Sequence, residues 1–156
     1  MSRARIAGAA VAAAVAIATP FIAGWEGKKN DPYADMLANG LLTVCYGETR
    51  VEMRRYTDAE CLAMLEGAVS GYAKNVLKCS PGLADRPYQL AAATSLAYNI
   101  GSAAYCRSTS ARRFNTGNIR GGCDAILFWR YAGGKEVYGL KRRREAERKL
   151  CMVGLS

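Results

Sequence analysis

The chain has no histidine and no C-x-x-C pair, although it carries six cysteines in 156 residues. Zinc sites draw on closely spaced Cys and His, so no metal centre is expected, and no cofactor either. Internal repeats are absent, and no low-complexity linker follows residue 24. A chain of this length suits one domain with one ordinary core. Because 51% of the residues are hydrophobic, disorder is excluded. No cysteine precedes Cys45, and no polar side chain stands between Ile6 and Ala18.

What is present narrows the compartment and the partners. Cys45, Cys61, Cys79, Cys106, Cys123 and Cys151 are scattered behind an apolar N-terminal segment. That pattern fits disulfides formed outside the cytoplasm, whereas six buried free thiols in a cytosolic protein are the bland alternative. Spacing leaves the connectivity open. Twenty-two Lys and Arg against 13 Asp and Glu give a formal charge of +9. Such a charge attracts a polyanion: nucleic acid, an acidic membrane surface or an anionic wall polymer.

Arg3 and Arg5 precede nineteen uncharged residues, Ile6 to Gly24, close to the length that crosses a bilayer. By the positive-inside bias the arginines keep the N-terminus cytoplasmic and send Trp25 outward. Nine of the nineteen are alanine and Pro20 interrupts the run. The six lipophilic residues, Ile6, Val11, Val15, Ile17, Phe21 and Ile22, contribute only about −2 to −4 kcal/mol to insertion. A segment this marginal can enter a membrane and also leave it. Ala16-Ile17-Ala18 equally reads as a signal-peptide cleavage site. A permanent anchor and an alanine-rich core helix are the other readings, and the last would need a polar face that the segment lacks.

Thr57-Asp58-Ala59-Glu60 is a capping box that starts a helix at Asp58. Cys61, Met64, Leu65, Ala68, Tyr72 and Val76 recur at helical spacing and form its buried stripe, and Cys79-Ser80-Pro81-Gly82 ends it. Pro87 opens a central helix, apolar nearly all round, that Gly101 closes. Ser108 caps a short helix that stops at Gly117. Asn118 caps another that carries Ile126, Leu127 and Trp129 and runs out at Gly133-Gly134. A last helix covers about Leu140 to Met152, with Lys141 to Arg144 as a solvated basic face. Nucleic-acid binding would need a known fold or aromatic interleaving, and neither is evident, so none is expected.

Strand signals are confined to about Tyr33 to Tyr46, where Asn39-Gly40 predicts a two-residue hairpin turn. The expectation is therefore an α+β, mainly helical domain with one small hairpin near its start. Glu26 falls at the end of the first helix, and Asp35 and Thr43 fall on the hairpin. Two carboxylates beside a cleft are the minimum for glycoside hydrolysis: one protonates the leaving oxygen and the other serves water or the sugar. Taken alone, a Glu and an Asp nine apart are more often solvated surface.

The combination is more specific. Glu26-Gly27, Pro32-Tyr33-x-Asp35 and Leu42-Thr43-Val44-Cys45-Tyr46-Gly47-x-Thr49 resemble the catalytic segment of phage-type lysozymes, the muramidases of glycoside hydrolase family 24. YNIG at 98–101, CRSTSARRFNTG at 106–117 and WRYAGGKEVYGLKRRREAE at 129–147 also look like that family. The N-terminal segment is similar to that of its signal-anchor-release endolysins. The resemblance implies a lysozyme-like fold, with a signal-anchor-release segment at 1–24 and a muramidase domain at 25–156. It implies Glu26 as general acid, Asp35 as the second carboxylate and Thr43 as holder of the attacking water. Asn99, Ser108 and Arg143 are implied in substrate binding, and Arg143 could sit near Glu26. Implied disulfides join Cys45 to Cys61, Cys79 to Cys106 and Cys123 to Cys151.

The implied substrate is peptidoglycan, cut at the β-1,4 bond between N-acetylmuramic acid and N-acetylglucosamine by a monomer. The protein would be tethered to the inner membrane through residues 6–24 and then freed into the periplasm of a Gram-negative host. Two features depart from the family. Seven residues, Met36 to Leu42, separate Asp35 from Thr43, where five are commoner, and Glu48 gives GET where GHT is usual. A solvent-facing Glu48 is expected. The rival readings are a membrane-anchored, non-enzymatic wall-binding or permeabilising protein and a secreted nucleic-acid binder.

Overall fold

The structure is a computed structural model describing residues 2–156. Its elements follow the order α1 (Arg3–Ala23), β1 (Lys29–Asp35), β2 (Leu41–Cys45), α2 (Asp58–Cys79), α3 (Pro87–Ile100), α4 (Ser102–Cys106), α5 (Thr109–Asn115), α6 (Ile119–Ala125), β3 (Tyr131–Ala132), β4 (Lys135–Glu136) and α7 (Tyr138–Cys151). The chain divides into two compact units. One holds the residues up to Ala18 together with Val69–Ser156, and the other holds Thr19–Ala68.

In the Thr19–Ala68 unit, β1 and β2 pair antiparallel with Tyr33 opposite Thr43 and Asp35 opposite Leu41. The strand begins at Lys29, earlier than expected. Asn30 explains this: its carbonyl accepts from Tyr56 N at 3.0 Å and its Nδ2 donates to Tyr56 O at 2.9 Å. The expected two-residue turn is instead a wider connection. Met36–Ala38 form a turn of 3-10 helix, and Asn39 (φ 55°) and Gly40 (φ 79°) return the chain in the left-handed region. Asp35 causes the widening, because its Oδ1 accepts from Leu37 N at 2.9 Å and its carbonyl accepts from Gly40 N at 2.8 Å. The extra length between Asp35 and Thr43 is thus absorbed at Met36 to Gly40, outside the strand register. Val44, Cys45, Tyr56 and Cys61 form the core of this unit.

The capping box starts α2 at Asp58 as its sequence dictates. Glu60 N donates to Thr57 Oγ1 at 3.1 Å, and Thr57 N donates to Glu60 Oε2 at 3.2 Å. Cys61, Leu65, Val69, Ala73 and Val76 make its fully buried line.

In the other unit, α3 is the central helix, buried from Gln89 through Ala97 and packed on α7. Gly101 closes it at φ 93°. Ser108 and Asn118 cap α5 and α6 through Ala111 N and Gly121 N. Gly122 is required where α6 meets α5, since a Cβ there would lie 2.3 Å from Phe114 Cδ1. The helix expected to carry on through Trp129 stops at Ala125, followed by a 3-10 turn over Ile126–Phe128. A second hairpin, β3 with β4, then turns on Gly133 (φ 59°) and Gly134 (φ 78°). Two positive-φ residues in succession suit a type I′ turn, so Gly133-Gly134 is a hairpin signal and more than a helix stop.

The basic run is a second correction. Arg143 and Arg144 are buried rather than solvated, because Glu147, itself fully buried, lies one turn further along α7. The disulfides join Cys45 to Cys61, Cys79 to Cys106 and Cys123 to Cys151, the pairing that the resemblance implied.

Helix α1 continues through Pro20 to Ala23, so the proline does not end it. Ala10, Ala14, Ala18 and Ile22 repeat every four residues and are buried. Small side chains therefore give α1 a packed face without any polar face opposite. It is also long and apolar enough to cross a membrane.

Candidate active site

Glu26 is built by the end of α1. Trp25 N and Glu26 N both donate to Ile22 O, at 2.9 and 3.0 Å, so the backbone of Glu26 continues the last helical turn. Its side chain is half-buried. The chain leaving it is pinned at once: Lys28 forms an ion pair with Asp58, and Asn30 Nδ2 donates to Asp58 Oδ1 at 2.8 Å. Those two partners hold the Asp58 carboxyl below the usual carboxylate range.

Asp35 and Thr43 come together on the hairpin. Side chains alternate along a strand, so Tyr33 and Asp35 share one face with their partners Thr43 and Leu41. Asp35 and Thr43 are diagonal neighbours on that face, a relationship that places Cα atoms about 7–8 Å apart. Asp35 is half-buried, and its Oδ1 is engaged by Leu37 N, which fixes the carboxylate and leaves Oδ2 for chemistry. Thr43 is 3% exposed, and its Oγ1 donates to Leu41 O at 3.0 Å. With its proton engaged, that oxygen presents lone pairs to a donor such as water.

Glu48 sits at the tight turn beyond β2, where Val44 and Glu48 exchange backbone hydrogen bonds of 3.0 and 2.8 Å. It is half-buried rather than solvent-facing, and burial pushes its carboxyl up. The sequence signal for this was the departure from GHT, at the position that closes the turn following β2.

The remaining candidates lie in the unit containing α3 and α7. Asn99 is exposed, and its Oδ1 accepts from Arg144 Nη1 at 2.9 Å. Arg143 is 6% exposed; its Nε donates to Glu147 Oε1 at 3.1 Å. The same Oε1 accepts from Ser95 Oγ and Arg144 Nη2, each at 2.8 Å. Burial pushes the Glu147 carboxyl up against the pull of both guanidinium groups. Ser108 is buried with its oxygen on Ala111 N, so its hydroxyl is a helix cap. Arg144 and Glu147 had not been singled out from the sequence, although their i, i+3 spacing is the signal of a helical ion pair.

A mainly helical fold with a small two-stranded hairpin and an N-terminal apolar helix is the architecture of a lysozyme-type muramidase. The profile of the family described as Phage lysozyme matches residues 23–147, and the chain belongs to that family of peptidoglycan-acting glycoside hydrolases. It is 39% identical over 152 residues to the SAR-endolysin of Bacteriophage PS119, covering 90% of this chain and 88% of the relative. It is 37% identical over 163 residues to the SAR-endolysin of Enterobacteria phage P21, covering 97% and 96%. Among solved structures it is similar to the active form of P1 phage endolysin Lyz. That match has a TM-score of 0.74 and 26% identity, covering 86% of this chain and 82% of that one.

Proposed function

We propose that the protein is an endolysin that hydrolyses the β-1,4 bond between N-acetylmuramic acid and N-acetylglucosamine, acting as a monomer on peptidoglycan and not on nucleic acid. Family membership already sets aside the non-enzymatic wall-binding reading. Glu26 protonates the glycosidic oxygen. Asp35 Oδ2 orients and deprotonates the attacking water or balances the developing oxocarbenium charge, and Thr43 Oγ1 holds that water. The single observation carrying the reading is the shared hairpin face of Asp35 and Thr43, with Asp35 held by Leu37 N. Asn99 contacts the sugar chain, whereas the buried Arg143 and Ser108 serve it indirectly, Arg143 through Glu147 and Ser108 by capping α5.

Residues 1–24 act as a signal-anchor-release segment, and residues 25–156 form the muramidase domain. What supports this is the length and apolarity of α1 and the SAR-endolysin names of the relatives. The enzyme is exported with α1 in the inner membrane, inactive while Glu26 is held at the bilayer surface, and works in the periplasm of a Gram-negative host once α1 leaves. With no cysteine before Cys45, control rests on topology alone.

The test is Glu26→Gln, which keeps shape and removes the proton donor. Reducing-sugar release from purified peptidoglycan should fall by at least about 10²-fold with an unchanged melting temperature. Near-full activity would remove Glu26 from the mechanism. Mass spectrometry of the released protein should show an intact N-terminus, and a fragment beginning at Thr19 would replace anchor release by ordinary signal cleavage.

A further inference from the structure

An apolar groove of about 750 Å³ runs between α1 and α2, walled by Ala4, Gly8, Val11 and Val15 on one side and by Leu77 on the other. It lies wholly within the unit that holds α3 and α7, apart from Glu26, Asp35 and Thr43. Its polar elements are Ser70, Lys74 and Lys78. The lysines are exposed, one turn apart on α2, and neither forms an ion pair among the described residues.

Three properties specify an occupant. Eleven helical rises separate Ala4 from Val15, so that wall is about 16 Å long. A hydrocarbon chain filling one leaflet of a bilayer core about 30 Å thick spans about 15 Å. The lining excludes a polar ligand body, and the two free ammonium groups call for an anion at the rim. The volume is in the range of a site for one small molecule, which favours one chain over a packed pair of helices. We propose that this groove binds one single-chain anionic phospholipid, with its acyl chain between α1 and α2 and its phosphate beside Lys74 and Lys78.

The test uses the full chain in its soluble form and monomeric lysophosphatidylglycerol with a saturated chain of about 14 carbons, a length matched to one leaflet. Calorimetric titration should give saturable one-to-one binding, tighter by about tenfold or more than lysophosphatidylcholine of the same chain, since each lysine near an anionic head group contributes independently. The double variant Lys74→Glu/Lys78→Glu should erase that preference while wall hydrolysis is unchanged. Gly8→Trp should abolish binding of both lipids, because Gly8 lines the groove and a Cβ there meets no atom within 4 Å. Equal affinity for the two lipids, or undiminished binding by Gly8→Trp, overturns the proposal. So does a dimer in sedimentation that Gly8→Trp dissociates without any lipid binding, which would give the groove to a second copy of this chain.

Discussion

Arg144 and Glu147 are both fully buried and meet at 2.8 Å on successive turns of α7. Glu147 Oε1 takes three donors, whereas Oε2 and Arg144 Nε have no partner among the described residues. Removing one member leaves uncompensated buried charge. Glu147→Ala should lower stability by about 3–5 kcal/mol, measured by urea unfolding. A double replacement, Arg144→Met with Glu147→Leu, should recover only part of that loss, because the buried Arg143 Nε then lacks its carboxylate acceptor.

Different substitutions separate the catalytic role proposed for Asp35 from its observed bond to Leu37 N. Asn keeps a side-chain oxygen for Leu37 N, so Asp35→Asn should retain the wide turn and the melting temperature while activity on peptidoglycan falls by at least about 10²-fold. Asp35→Ala should lose activity equally and also lose the cap, at a further cost of about 0.5–2 kcal/mol. Equal stability of the two variants would show that the Leu37 bond contributes nothing to the hairpin.

Glu48 sets a pH dependence whose sign follows from burial. Its folded-state pKa is raised, so the folded protein binds this proton more tightly than the unfolded chain. The stabilisation is complete below the unfolded value and is lost as pH rises through the folded one. Glu48→Gln should therefore raise the melting temperature at neutral pH and leave it unchanged well below the ordinary glutamate pKa. Thermal melts across that range check it.

The Cys45–Cys61 disulfide closes a loop with a sequence separation of 16 around the core of the hairpin unit. In the chain-entropy model a loop of this size is worth about 3 kcal/mol. Cys45→Ala/Cys61→Ala should lose about that much, in chemical denaturation, and should no longer respond to mild reduction at this site.

The chain announced its local chemistry more plainly than its burial. Thr57 and Glu60, Ser108, Asn118 and Gly101 act within three or four residues of themselves, and each ends or begins a helix as its side chain dictates. The first hairpin was legible for the same reason, down to the left-handed Asn39 and Gly40. Its turn was misjudged because the Asp35 side chain competes for Leu37 N, and propensity for an Asn-Gly turn does not include that bond. The basic run at 141–144 read as solvated because charge is expensive to bury. What reverses that is Ser95, fifty-two positions from Glu147 in sequence and bonded to it. The second hairpin failed for a different reason, since Gly133-Gly134 both stops a helix and turns a hairpin, and only pairing of Tyr131 with Glu136 decides between them.

Because Trp25 N and Glu26 N are both bonded to Ile22 O, the backbone of Glu26 turns with α1 as a pointer turns with its shaft. A helix advances about 100° per residue, so adding one residue ahead of Ile22, with the upstream turns held in place, swings the carboxylate by about 100° around the helix axis. Adding four restores its bearing to within about 40°. The proposed acid is thus set by angular phase as well as by reach, and single-residue and four-residue insertions in α1 are not graded versions of the same change.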